Sequence, residues 1–229
     1  MINITDKLEK LQQRIITAEQ QFERTPSSVI LLAISKTRTA DEISIAIKSG
    51  QYHFGENYLQ EAVDKILALN HPGLVWHFTG PVQSNKTRLM AKHFSWVHTV
   101  DKLKIAARLN DMRPDTLPPV NVCIQVNISE EPTKSGVAIE KVLDLADSIH
   151  SLRRVRLRGL MTMPQLCSDF EQQRESFRRL SQSLALLQSH GHEVDTLSMG
   201  TSIDLEAAIA EGATIIRIGT DIFGPRISK

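Results

Sequence analysis

The chain has 229 residues, 41% of them hydrophobic, which suits one large globular core that needs no disulfide staples. Its 27 basic and 26 acidic residues leave a formal charge of +1, so nothing electrostatic points to nucleic acid or an anionic membrane as partner. The N-terminus lacks a signal-peptide pattern, no run approaches the ~20 apolar residues of a membrane span, and the lone cysteines Cys123 and Cys167 point to the reducing cytoplasm.

The first predicted element is an amphipathic helix over about 5–24. Leu8, Leu11, Ile15, Ala18 and Phe22 recur at helical steps, Thr5 or Asp6 can cap the start, and Pro26 ends it. Short β-branched runs then begin near Val29, His53, Leu74, Trp96, Val120, Leu157, Thr196 and Thr214. Each of the first seven runs precedes a stretch with helical periodicity. Thr39-Ala40-Asp41-Glu42 is a capping box, and Gly50 can close that helix in a left-handed turn. Gly212 plays the same part after the Leu205–Ile209 stretch. Ile139, Val142, Leu143, Ala146 and Ile149 make one apolar stripe; Phe170, Phe177, Leu180, Leu184 and Leu187 make another. Both read as packing faces. The prolines at 114, 118 and 119 predict a rigid loop over 111–119, and the arginine-rich run from Arg153 to Arg158 reads as a solvated edge leading into a strand.

Runs such as Val29–Ile34 and Val120–Val126 are nearly continuous in apolar or small residues, as in parallel strands covered on both faces. Eight such strands with intervening helices predict an α/β fold, a single (β/α)8 TIM barrel over about 29–226 with the N-terminal helix as an addition. No linker marks a second domain. An open doubly wound sheet would carry a glycine-rich fingerprint after its first strand, and none is present.

In a parallel barrel the chemistry collects at the carboxyl ends of the strands. There the first strand delivers Lys36, the second Asn57, the third His77, the fifth Asn127 and the sixth Met163. Read from position alone, Lys36 is either a rim lysine or an amine turned into the mouth; partial burial would lower its pKa and make it competent to form an imine. Ser198-Met199-Gly200-Thr201-Ser202 after the seventh strand and Gly219-Thr220 after the eighth occupy the two slots from which barrels build phosphate sites. Arg217 lies beside them, as a phosphate neighbour or in a salt bridge inside the barrel. Asn57, His77 and Asn127 can each simply satisfy hydrogen bonds in the mouth. The other histidines show no metal-binding spacing, and no metal is expected.

Several segments together resemble one family: Ala33-Ile34-Ser35-Lys36-Thr37, His53 to Glu61, Trp76 to Lys86 and Lys134-Ser135-Gly136, followed by Leu157 to Met163, Leu197-Ser198-Met199-Gly200 and Arg217-Ile218-Gly219-Thr220. The family is that of the pyridoxal phosphate homeostasis proteins, also called the YggS or PROSC family, and the likeness runs in order from about residue 29 to 226. The resemblance implies a barrel of the alanine racemase N-terminal type, with Lys36 as the Schiff-base lysine. By motif match it implies Ser198, Gly200, Gly219 and Thr220 at the cofactor's phosphate, Arg217 at its pyridine nitrogen, and Asn57, His77 and Met163 lining the pocket. Thr201 stands where the family usually has methionine, and Thr79 where it usually has an aliphatic residue.

An arginine at the pyridine nitrogen disfavours ring protonation and so weakens the electron sink that carbanion chemistry needs. Racemases of this type add a tyrosine base from a further C-terminal domain of a partner chain. This sequence ends soon after the eighth strand, at Gly224-Pro225-Arg226-Ile227-Ser228-Lys229, and its tyrosines, Tyr52 and Tyr58, lie early. The expectation is a non-catalytic pyridoxal phosphate carrier, a monomer or weak homodimer, which passes the cofactor to dependent enzymes. The alternatives are a low-activity amino-acid racemase and a cofactor-free barrel enzyme acting on a phosphorylated metabolite.

Overall fold

Eight parallel strands, β1 (Ile30–Ile34), β2 (His53–Glu56), β3 (Val75–Phe78), β4 (Trp96–Val100), β5 (Val120–Val126), β6 (Val155–Thr162), β7 (Thr196–Ser198) and β8 (Ile215–Ile218), follow one another around a closed barrel. Closure is direct: Ile30 to Ala33 of β1 pair in register with Ile215 to Ile218 of β8. Helices α2 (Ala40–Lys48), α3 (Leu59–Leu69), α4 (Thr87–His93), α5 (Leu103–Met112), α6 (Val142–His150), α7 (Phe170–Ser189), α8 (Leu205–Ala210) and α9 (Thr220–Phe223) follow the strands in turn, and α1 (Ile4–Gln21) precedes them. The computed structural model describes residues 3–131 and 134–225. Met1, Ile2 and the segment 226–229, on which parts of the readings of the two chain ends fall, lie outside the described residues. Among the described residues no helix is long and apolar enough to cross a membrane.

The local signals act largely where the sequence puts them. Thr39 and Glu42 form the reciprocal capping box on α2, and Gly50 and Gly212 take positive φ after α2 and α8. Other boundaries move. Asn3, not Thr5 or Asp6, caps α1, and that helix ends at Gln21, well before Pro26. The fastening there is Glu19, whose buried carboxylate accepts the Ser27 and Val29 N–H groups and so turns the chain into β1. Strand β6 starts at Val155, so Arg156 and Arg158 belong to the strand itself rather than to an edge before it. Phe170 is exposed and stacks on Phe22, while Gln173 takes the buried place on that face of α7.

The core divides in two. A large apolar layer lies between strands and helices, and a small cluster of Leu32, Trp96, Cys123, Met161 and Ile215 fills the barrel interior. Successive strand residues face opposite sides, so the inward residue two steps past Trp96 is His98, past Val75 is His77 and past Ile215 is Arg217. A polar layer therefore lies toward the mouth from an apolar floor. The Arg158 guanidinium, 5.0 Å from the Trp96 ring centre and paired with Asp195, covers that floor.

A register shift between Val122 and Cys123 opposite β6 marks a bulge at Gly159, whose φ is +153°. A Cβ there would sit 1.9 Å from the Thr196 carbonyl oxygen. At Gly50 the φ is also positive, at +85°, but nothing lies within 4 Å of the added atom. Gly159→Ala is expected to lower the unfolding free energy by about 3 kcal/mol or more, against about 1 kcal/mol for Gly50→Ala. Denaturant titration of both variants checks this; equal costs would contradict the close approach seen at β6.

Candidate functional site

The carboxyl ends of the strands open onto a cavity of about 1100 Å³. Of the nine residues expected to hold a cofactor, Lys36, Met163, Gly200, Arg217, Gly219 and Thr220 line it. Asn57, His77 and Ser198 do not. Asn57 lies at a smaller neighbouring pocket, while His77 and Ser198 are wholly buried behind the cavity wall.

Lys36 stands at the mouth because both residues beside it are clamped. The buried ammonium of Lys65, on α3, donates to the Ser35 carbonyl at 2.7 Å, to Glu56 at 2.8 Å and to Glu61 at 2.5 Å. The Ser35 hydroxyl donates to the same Glu56 oxygen, and the Thr37 N–H donates to Glu61 at 2.6 Å. Thr37 itself takes a φ of +64°, which turns the chain sharply after the lysine. Burial pushes the Glu56 carboxyl above its ordinary range despite the Lys65 ammonium beside it. Removing one partner from such a cluster strands the others in a low-dielectric interior, which makes the clamp rigid.

The two loops after β7 and β8 form the opposite wall. Gly200 has a φ of +94°, and a Cβ on it would lie 2.6 Å from the Ala208 methyl, so the turn requires glycine. Asp204 holds the turn by accepting from the Thr201 N–H at 2.6 Å and from the Thr201 hydroxyl at 2.7 Å. From outside, Arg14 of α1 donates to the Ser202 carbonyl and pairs with Glu206. The added N-terminal helix thus braces a cavity loop. Helix α9 opens at Gly219 without a side-chain cap, which leaves first-turn N–H groups with no intrahelical acceptor at the cavity wall. Asn127 also lines the cavity, and its buried Oδ1 has no hydrogen-bond partner among the described residues. Uncapped amides, a guanidinium, an amine and an unpartnered amide oxygen suit an anionic, hydrogen-bonding ligand.

Arg217 is buried, and burial brings its guanidinium down to about 10, still a cation at neutral pH. It donates to the Ser198 hydroxyl at 2.9 Å and to the Thr162 carbonyl at 2.7 Å. Among the described residues no carboxylate is within ion-pair distance of it; of the two outcomes open at the sequence level, the cavity wall replaces the salt bridge. Behind it runs a file of imidazoles. His98 Nδ1 is 2.8 Å from the Ser198 hydroxyl, His77 Nδ1 is 2.9 Å from His98 Nε2, and His53 Nδ1 is 3.1 Å from His77 Nε2. Burial drives the His98 pKa to about 3, helped by Arg217, and holds His77 well below its ordinary value for the same first reason, with the neighbouring imidazoles adding to it. His53 and His98 have no motif spacing, so sequence assigns them nothing; strand parity is the signal that places them inside. Both departures from the family pattern are in use as hydrogen-bond donors, Thr201 to Asp204 and Thr79 to Asn57 at 2.9 Å. Among the described residues no cluster of three or more potential metal ligands forms.

The family described as alanine racemase, N-terminal domain, matches residues 7–226. The pyridoxal phosphate homeostasis protein of Escherichia coli (strain K12) is 49% identical over 229 residues, covering 99% of this chain and 98% of its own. The protein of the same name from Pseudomonas aeruginosa is 50% identical over 226 residues, covering 99% and 97%. Among solved structures, PipY of Synechococcus elongatus with PLP bound is 34% identical, with a TM-score of 0.85 over 97% of this chain and 100% of its own. Alanine racemase from Corynebacterium glutamicum, 16% identical with a TM-score of 0.67, shares the barrel over 95% of this chain and 61% of its own.

The depressed histidines give stability a pH dependence of definite sign. His98 is neutral when folded down to about pH 3 but takes a proton near 6.5 when unfolded, so its contribution is present above 6.5 and is lost as pH falls below it. The stability advantage of the protein over its His98→Asn variant is therefore expected to narrow by about 1.4 kcal/mol per pH unit between roughly pH 6 and 4. Urea unfolding at several pH values reads this directly; a constant difference would mean that His98 is not buried neutral.

Proposed function

The chain belongs to the pyridoxal phosphate homeostasis family, built on the alanine racemase N-terminal barrel, and from that membership we propose that it holds pyridoxal phosphate in the mouth cavity and buffers or delivers it. One observation carries the reading: Lys36, Arg217 and the two glycine loops at Gly200 and Gly219 all line one cavity. Bound there, the cofactor supplies a reactive aldehyde on an aromatic ring with an anionic tail. Lys36 would hold that aldehyde through its Nζ, and the clamp around Ser35 and Thr37 keeps the amine at the mouth. Gly200, Gly219 and Thr220 would offer backbone N–H groups to the phosphate, Met163 lines the cavity edge, and Arg217 would present a cation to the ring nitrogen. Ser198 and His77, matched to the family's pocket, act from behind through Arg217, whereas Asn57 accepts from Thr79 beside the cavity.

Binding rather than turnover follows from the same residues. A fixed guanidinium opposes a proton on the ring nitrogen, since two cations in contact repel, and the ring then withdraws electrons weakly. Tyr58 lies at the smaller neighbouring pocket, and Tyr52 precedes β2 at the opposite end of the barrel, so neither lines the main cavity to serve as a second base. The whole chain reads as one cofactor-binding domain that works in the cytoplasm as a monomer or weak homodimer. Two unpaired cysteines support that compartment; burial pushes the Cys123 thiol up to about 12 and leaves it inert. The recipients are pyridoxal-phosphate-dependent enzymes.

Protein mixed with pyridoxal phosphate is expected to develop the absorption band of a lysine-bound form, and Lys36→Ala to lose it. Amino-acid α-hydrogen exchange is expected far below ~1 per second. An unchanged band in the variant would remove Lys36 from its role, and exchange at ordinary enzyme rates would establish the racemase alternative instead.

A further inference from the structure

The file of imidazoles behind Arg217 has a direction, and one buried hydroxyl sets it. Ser198 is fully buried, and among the described residues its hydroxyl oxygen has two partners, Arg217 and His98 Nδ1. Arg217 can only donate, so the serine hydrogen has one acceptor within reach, the His98 Nδ1 lone pair. If His98 donated instead, the hydroxyl hydrogen would be buried with no acceptor, which costs far more than the bond is worth when made. Neutral His98 therefore carries its proton on Nε2 and gives it to His77 Nδ1 at 2.9 Å. His77 in turn carries its proton on Nε2 and gives it to His53 Nδ1 at 3.1 Å. Every lone pair in the file points toward the guanidinium, and every N–H points away from it.

We infer that His98, His77 and His53 are positioning residues for Arg217: a directed column of neutral Nε2–H imidazoles, ending at the half-buried His53, that fixes Ser198 and through it the guanidinium in the cavity wall. The inference rests on the cofactor reading, because Arg217 is fixed for the ring it meets. A carboxylate would hold the guanidinium as firmly but would cancel its field at the cavity. Aligned imidazole dipoles stabilise the buried cation and leave its charge whole. Burial supports the neutral state of the column, and Trp96, stacked on His77 with ring centres 5.4 Å apart and 11° between planes, keeps that ring from turning. Besides His98 of the column itself, the groups facing Arg217 electrostatically are the Asp204 carboxylate, with which no ion pair forms among the described residues, and Cys123.

The test uses ligand-free protein carrying nitrogen-15 in its histidine rings. Nuclear magnetic resonance is expected to find His77 and His98 neutral, protonated at Nε2, and unchanged between about pH 8 and 6. An Nδ1–H form of either ring, or titration in that interval, overturns the column. In a second arm, His98→Leu is expected to weaken pyridoxal phosphate binding about tenfold. His98→Asn, whose side-chain oxygen takes the place of Nδ1, is expected to recover most of that loss. Equal weakening in both variants, or none in either, overturns the positioning role. Wild-type protein with the expected tautomers that takes up no pyridoxal phosphate overturns the cofactor reading itself, and the positioning role with it.

Discussion

Closing eight parallel strands on themselves leaves an interior that alternate residues must fill, and that single constraint decides where chemistry can occur in this chain. The floor takes Leu32, Trp96, Cys123, Met161 and Ile215, which pack as an apolar cluster. Toward the mouth, the same faces of the strands carry His77, His98, Ser198 and Arg217, all of them buried and all in hydrogen bonds. Strands buried on both sides give a polar side chain no route to water, so each must be satisfied by another. At the strand ends the constraint lifts and Lys36 emerges.

Two of the buried cations, Lys65 and Arg217, are held in opposite ways. Lys65 is surrounded by Glu56, Glu61 and the Ser35 carbonyl, an ionic cluster whose work is to stiffen the strand end that bears Lys36. Among the described residues Arg217 has neutral acceptors alone, a serine hydroxyl and a backbone carbonyl. The first arrangement spends its charges on structure. The second keeps a full charge facing the cavity, which is what a residue must do if it is to hold a ring nitrogen unprotonated.

The barrel was legible because its strands are nearly unbroken apolar runs and its helices carry period and caps, as in Thr39 to Gly50. Helix ends were less so: Glu19 reaches across ten residues to accept from Val29, a bond that no local pattern announces. The cavity liners Lys36, Gly200 and Arg217 follow from strand order, whereas Asn57, His77 and Ser198 occupy strand ends of the same kind yet do not line the cavity. Which way a side chain turns there depends on partners far off in sequence. His98 and Ser198 are 100 residues apart, and Arg14 reaches Ser202 across 188. Family likeness supplied roles for these residues without supplying their geometry; Thr79 and Thr201, atypical for the family, turned out to hold Asn57 and Asp204 in place.

The central claim is a covalent bond at one amine. Borohydride reduction of the protein mixed with pyridoxal phosphate, followed by peptide mass spectrometry, names the modified residue. The account predicts a single dominant adduct on the peptide containing Lys36. A dominant adduct on any other lysine, or none at all, would contradict it.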